Sequence, residues 1–140
     1  MTDSDRNVAT VKGAYEAFKR QDIPGVLAAF DPNIEWTTPA EIPFGGTVCG
    51  HEGVLGFFQT LPRYYAELRV EPDYYVASDD KVVAVGHHRG KTVAGEPFEL
   101  DFAMVWTMRD GKAIRFREYN DSGKMIAILG AGAEAAAGAV

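Results

Sequence analysis

The chain has 140 residues, 46% of them apolar and 24% charged, and a formal net charge of −6. That length suits one domain with a modest core. The basic residues form no run, which argues against nucleic acid or an anionic membrane surface as a partner. No apolar stretch approaches the ~20 residues that cross a bilayer, and the polar N-terminus shows no apolar leader segment. A cytoplasmic location is therefore expected. The one cysteine, Cys49, excludes an internal disulfide and reads as an inert small hydrophobe.

Asp3 or Ser4 is expected to cap a helix running to about Arg20, with Val8, Val11, Tyr15 and Phe18 on one stripe. Asp22 caps a short second helix that accepts Pro24 in its first turn and carries Val26, Leu27 and Phe30 on its apolar side. Asp31-Pro32-Asn33 reads as a breaker. A short strand, Ile34–Thr38, then places Ile34, Trp36 and Thr38 on one face. Residues 39–50 hold two prolines and three glycines and read as a long irregular loop. The third helix should cover roughly His51–Glu67, with Val54, Phe57, Phe58 and Leu61 turned inward and Pro62 ending or kinking it.

The remainder reads as sheet. Leu68–Ser78 is expected to share Leu68, Val70, Tyr74 and Val76 on one face. A turn at Asp79-Asp80 leads to the valine-rich strand Lys81–Thr92. After a turn at Gly95-Glu96-Pro97, Phe98–Met108 alternates cleanly, with Phe98, Leu100, Phe102, Met104, Trp106 and Met108 on one side. Asp110-Gly111 is a hairpin signal. The last strand, Ala113–Asp121, puts Ile114, Phe116, Glu118 and Asn120 on its inner face. Helices first and antiparallel strands after them predict an α+β fold, a curved sheet wrapped around three helices as a cone with an apolar interior. Residues 1–130 should form the single domain, and the Ala/Gly-rich tail, 131–140, should be frayed.

Glu118 is the residue that asks for an explanation, because a carboxylate in an apolar row is costly unless paired or protonated. It is the expected general acid or base. His87 and His88 are adjacent on a strand, so only one faces inward. The odd row carries Val83 and Val85 and is the bulkier, which favours His87 as the partner of Glu118. Asn120, Trp36 or Tyr15 is expected to donate to a developing oxyanion. Tyr15, Trp36, Thr38, Phe57, Phe58, Leu61, Phe102, Met104, Phe116 and Asn120 are expected to line the pocket. The three histidines lack metal-ligand spacing, and no phosphate-binding glycine loop is present. Neither metal nor cofactor is expected.

The run Val105–Lys112 followed by Phe116–Asp121 (FREYND) resembles the last hairpin of nuclear transport factor 2-like proteins, in their polyketide-cyclase-like (SnoaL-like) branch. Tyr15–Phe18, Asp22–Val26 and Phe30–Trp36 are similar to that family's opening helix pair and first strand, and Gly50–Val54 to the entry of its third helix. The resemblance spans about residues 5–128 and implies the cone-shaped α+β fold. It also implies a homodimer paired through the outer sheet face, where Arg115, Arg117 and Tyr119 point. Within the superfamily, the last strand resembles that of limonene epoxide hydrolase, which puts a carboxylate at Glu118. The base of ketosteroid isomerase does not carry over, because Thr38 precedes Pro39 at the corresponding place. The activity implied is cofactor-independent acid/base chemistry on a small apolar carbonyl-bearing molecule, of an isomerase, cyclase or hydrolase kind. A non-catalytic binder of an apolar ligand and a dimerising scaffold stand as alternatives of the same fold.

Overall fold

The computed structural model describes residues 2–129. Helix α1 (Asp3–Lys19) begins one residue earlier than the Asp3 or Ser4 cap implies. Thr2 is its N-cap, in a capping box whose reciprocal partner is Asp5. Helix α2 (Ile23–Ala28) is capped by Asp22, whose carboxylate accepts from the Gly25 N–H. Helix α3 (Gly50–Thr60) ends earlier than its apolar pattern suggests. Leu61–Arg63 tightens into a single 3-10 turn around Pro62, and the chain enters a strand at Tyr65.

Among the described residues, six strands form one curved, open sheet in the order β2-β1-β6-β5-β4-β3. They are β1 (Phe30–Thr38), β2 (Gly46–Cys49), β3 (Tyr65–Ser78), β4 (Lys81–Thr92), β5 (Pro97–Arg109) and β6 (Lys112–Asn120). All neighbours are antiparallel except β1 and β6. The concave face packs on α1 and α3 around Val11, Ala14, Ile34, Val54, Trp106 and Phe116. No described helix is long and apolar enough to cross a membrane.

Three local differences from the sequence pattern bear on the site. Asp31-Pro32-Asn33 does not stop β1. It sits inside the strand, where the pairing with β6 shifts register between Phe30 and Glu35, so the missing proline N–H breaks no regular ladder. β3 carries a bulge between Pro72 and Tyr74, which reverses its alternation. Val70 packs inside, but beyond the bulge Tyr75 and Ala77 take that side, leaving Tyr74 and Val76 each 56% exposed. A bulge near Met108 puts Ala113 in the inner row ahead of Phe116, and leaves Ile114 half-buried. The Phe116–Glu118–Asn120 phase is unaffected.

Beyond β6, residues 122–129 form a helix that the sequence pattern does not predict. Asp121 caps it by accepting from the Lys124 N–H. Met125 and Leu129, one turn apart, bury against Tyr65, Phe98 and Leu100 as a second core cluster. The expected frayed tail lies outside the described residues.

Candidate active site

The space between the concave sheet and the helices holds a cavity of about 70 Å³. A water needs on the order of 10–15 Å³ by the same measure, so the space fits several waters or a small ring. Its walls are aromatic and aliphatic. Trp36 stacks on Phe116 with centroids 3.8 Å apart, and Phe57, Phe58, Phe30 and Trp106 surround them. Of the expected lining residues, Tyr15, Trp36, Thr38, Phe57, Phe58, Leu61, Met104 and Phe116 border this cavity, together with Glu118. Phe102 and Asn120 do not. Phe102 lies behind the wall, its ring centroid 4.8 Å from that of His88. Asn120 is turned to Glu118.

The inward histidine is His88, not His87. His87 lies on the convex face between Glu71 and Asp73, 3.3 Å from each. The buried row of β4 is Val82, Ala84, Gly86 and His88. Bulk misleads here because the sheet is sharply bent. Opposite the β3 bulge, a Cβ built on Gly86 would stand 2.1 Å from the Glu71 carbonyl oxygen and 2.6 Å from the Pro72 Cα. At Gly86 the concave side has no room for a side chain, and the flanking Val83 and Val85 occupy the convex side. The third histidine, His51, bonds from Nε2 to the Phe30 carbonyl oxygen at 3.0 Å and ties α3 to β1.

Glu118 and His88 are 8% and 5% exposed, and their side chains meet at 3.2 Å, Nε2 to Oε2. The Nδ2 of Asn120 donates to the same carboxylate oxygen at 2.5 Å, and the Ser122 hydroxyl donates to Asn120 Oδ1 at 3.2 Å, which fixes the amide's orientation. Oε2 is thus an acceptor, and the His88 Nε2–H donates to it. Two donors offset the desolvation of a buried carboxylate. His88 Nδ1 has no partner among the described residues, and in a neutral ring that nitrogen is a bare acceptor. Among the described residues no hydrogen bond engages Glu118 Oε1, although Glu118 borders the cavity. The pair presents a carboxylate oxygen and an imidazole nitrogen able to take and return a proton. Among the described residues no cluster of His, Cys, Asp or Glu is placed to hold a metal ion.

Tyr15 borders the cavity with its hydroxyl already engaged. It donates to Met104 Sδ at 2.9 Å and accepts from Trp106 Nε1 at 3.0 Å. Burial pushes the phenol well above its ordinary titration range, as burial does for Tyr65. A group whose folded-state pKa is raised contributes stability fully present below its unfolded value, about pH 10 for tyrosine, and lost as pH climbs from there towards the raised value. Each such tyrosine should remove about 1.4 kcal/mol per pH unit in that window. Tyr15→Phe is expected to flatten the fall in stability above pH 10, measured by urea unfolding at a series of alkaline pH values. An unchanged slope would mean that the ring is not buried.

Sequence reasoning missed His88 and several wall residues, among them Ile42, Phe44, Tyr65 and Met125. Ile42 and Phe44 sit on the loop read as irregular, and Met125 on the helix after β6. The Asp121 cap three residues before Lys124 was the signal that could have found that helix.

A curved open sheet over helices, enclosing an apolar hollow bordered here by a buried histidine–glutamate pair, is the architecture of the NTF2-like class. The SnoaL-like domain family matches residues 11–116, and the chain belongs to it. Among solved structures it is similar to an NTF2-like protein of unknown function from Burkholderia pseudomallei, at 37% identity and a TM-score of 0.86 over 92% of this chain and 98% of that one. It is also similar to TerC, co-crystallised with polyporic acid, at 30% identity and a TM-score of 0.83, over 89% and 98% of the two chains. An NTF2-like protein from Burkholderia xenovorans matches at 30% identity and a TM-score of 0.82, over 92% and 99%. No curated protein matches the chain.

Proposed function

We propose that the chain is an acid/base enzyme that acts, without a cofactor, on a small apolar carbonyl-bearing molecule by moving a proton at carbon. The observation that carries this reading is the buried His88–Glu118 pair bordering an otherwise apolar cavity. A structural pair would be expected to satisfy its own polar atoms, yet the buried His88 Nδ1 is without a partner among the described residues. Glu118 is the proton acceptor, and His88 orients it and shares the proton. A relative co-crystallised with polyporic acid supports an organic ligand over an ion. The test is solvent deuterium exchange into a panel of enolisable ketones. Exchange by the wild type that is lost in Glu118→Gln is expected. Tight ligand binding with no exchange across the panel would leave a binding module instead.

The same reading places the enzyme in the cytoplasm, where the exposed thiol of Cys49 stays reduced, and has it work as a homodimer. The convex face supports a second copy as the partner. Tyr74, Val76 and Tyr119 are each at least half exposed, and Val83, Val85 and Val105 lie between them by register. Light scattering should give twice the chain mass for the wild type and one chain mass for Val76→Arg. A monomeric wild type at tens of micromolar would remove this proposal.

A further inference from the structure

Three buried side-chain polar atoms among the described residues lack a hydrogen-bond partner, namely Trp36 Nε1, Thr38 Oγ1 and His88 Nδ1. All three belong to residues that border the same cavity. Native folds leave few buried polar groups unpaired, and each one asks for a reason. Trp36 and Thr38 are both more than nine-tenths buried and lie two apart on β1, so they share its inner face. An indole N–H is a donor only, and a threonine hydroxyl can donate as well. The other candidate donors are committed. The Asn120 amide is given to Glu118, and the Tyr15 hydroxyl to Met104.

The register places this pair beside the proposed base. β1 and β6 run parallel, with Trp36 opposite Phe116 and Thr37 opposite Arg117. One step on, Thr38 lies alongside Glu118 on the inner face. Neighbouring strands are about 4.8 Å apart. A ligand lying on the inner face above the two strands would have its carbonyl oxygen on the β1 side and the adjacent C–H on the β6 side, next to the carboxylate.

We propose that Trp36 Nε1–H and Thr38 Oγ–H form a two-donor seat for a ligand carbonyl oxygen. This makes the ligand a flat, mostly apolar ketone of about one ring. Trp36 and Thr38 set specificity by leaving their own donors unpaired with any ligand that lacks the oxygen. The inference rests on the acid/base reading for the role of Glu118, but not for binding.

The test compares acetophenone with α-methylstyrene, which replaces the carbonyl oxygen by a methylene group at nearly the same shape. The chain has two tryptophans, so an ¹⁵N-labelled sample gives two indole N–H signals, assigned with Trp36→Phe. Acetophenone should move the Trp36 signal downfield. It should leave that of Trp106 in place, because this N–H already bonds to Tyr15. α-Methylstyrene controls for ring currents and should bind about tenfold or more weakly. Thr38→Val, which keeps the shape and removes the hydroxyl, should cut the preference for the ketone severalfold. Equal affinity for the two compounds would overturn the proposal. So would a stationary Trp36 signal when acetophenone binds, or no binding of either at millimolar concentration. A Trp36 shift with no deuterium exchange into acetophenone would sink the base assignment and leave the seat standing.

Discussion

Replacing Glu118 by Gln should lower the rate of deuterium exchange into a turned-over ketone by ~10²–10⁴-fold, the range that a positioned proton-transfer group contributes. Shape is preserved, and the amide oxygen can still accept from the His88 Nε2–H, so the cavity should keep its ligand affinity within severalfold. The contrast between the two histidines makes the experiment specific. His88→Gln removes the imidazole that bonds to Glu118 at 3.2 Å and is expected to slow exchange by about ten- to a hundredfold. His87→Gln alters a convex-face residue held by Glu71 and Asp73, and should leave the rate within about twofold of wild type. If His87→Gln were the damaging variant, or if Glu118→Gln kept full activity, the catalytic pair would be elsewhere. Thermal unfolding of all three variants separates lost chemistry from lost folding.

What the sequence made legible, and what it hid, follows from where the backbone is regular. β5 alternates cleanly up to the bulge near Met108, and Phe98, Leu100, Phe102, Met104, Trp106 and Met108 are all buried. The phase of β6 near Glu118 was equally readable, because Phe116 sets it and the bulge lies upstream. Failures cluster at irregularities. The β3 bulge turned Tyr74 and Val76 outward, and its one local sign is Pro72, since strands admit proline at edges and bulges. On β4 the rule that bulk points inward broke down, since Gly86 sits where the backbone of β3 crosses most closely. A glycine in a strand marks a close backbone approach as often as weakness, and that reading would have pointed to His88. The site was therefore half visible. The carboxylate came from local alternation, while its partner depended on a long-range bend.

That bend makes a stability prediction as firm as the chemical one. Gly86→Ala adds one methyl group 2.1 Å from a backbone oxygen and 2.6 Å from a backbone carbon of β3, both well inside contact distance and neither on a flexible side chain. The variant should lose about 3 kcal/mol, at the upper end of overpacking costs, because relief requires moving the bulge itself. Gly13→Ala is the matched control. Gly13 is exposed within α1, and a methyl group added there would meet nothing within 4 Å, so alanine should raise stability by roughly 0.5–1 kcal/mol through helix propensity. Urea midpoints of the two variants should move in opposite directions. Gly86→Ala should also slow exchange, because a displaced β3 moves the strand that carries His88 relative to Glu118, and misplacement by about 1 Å costs on the order of a hundredfold in rate. A Gly86→Ala protein as stable as wild type would show that β3 and β4 do not approach this closely. The inward phase of His88 would then lose the constraint that sets it, and the acid/base pair would fall with it.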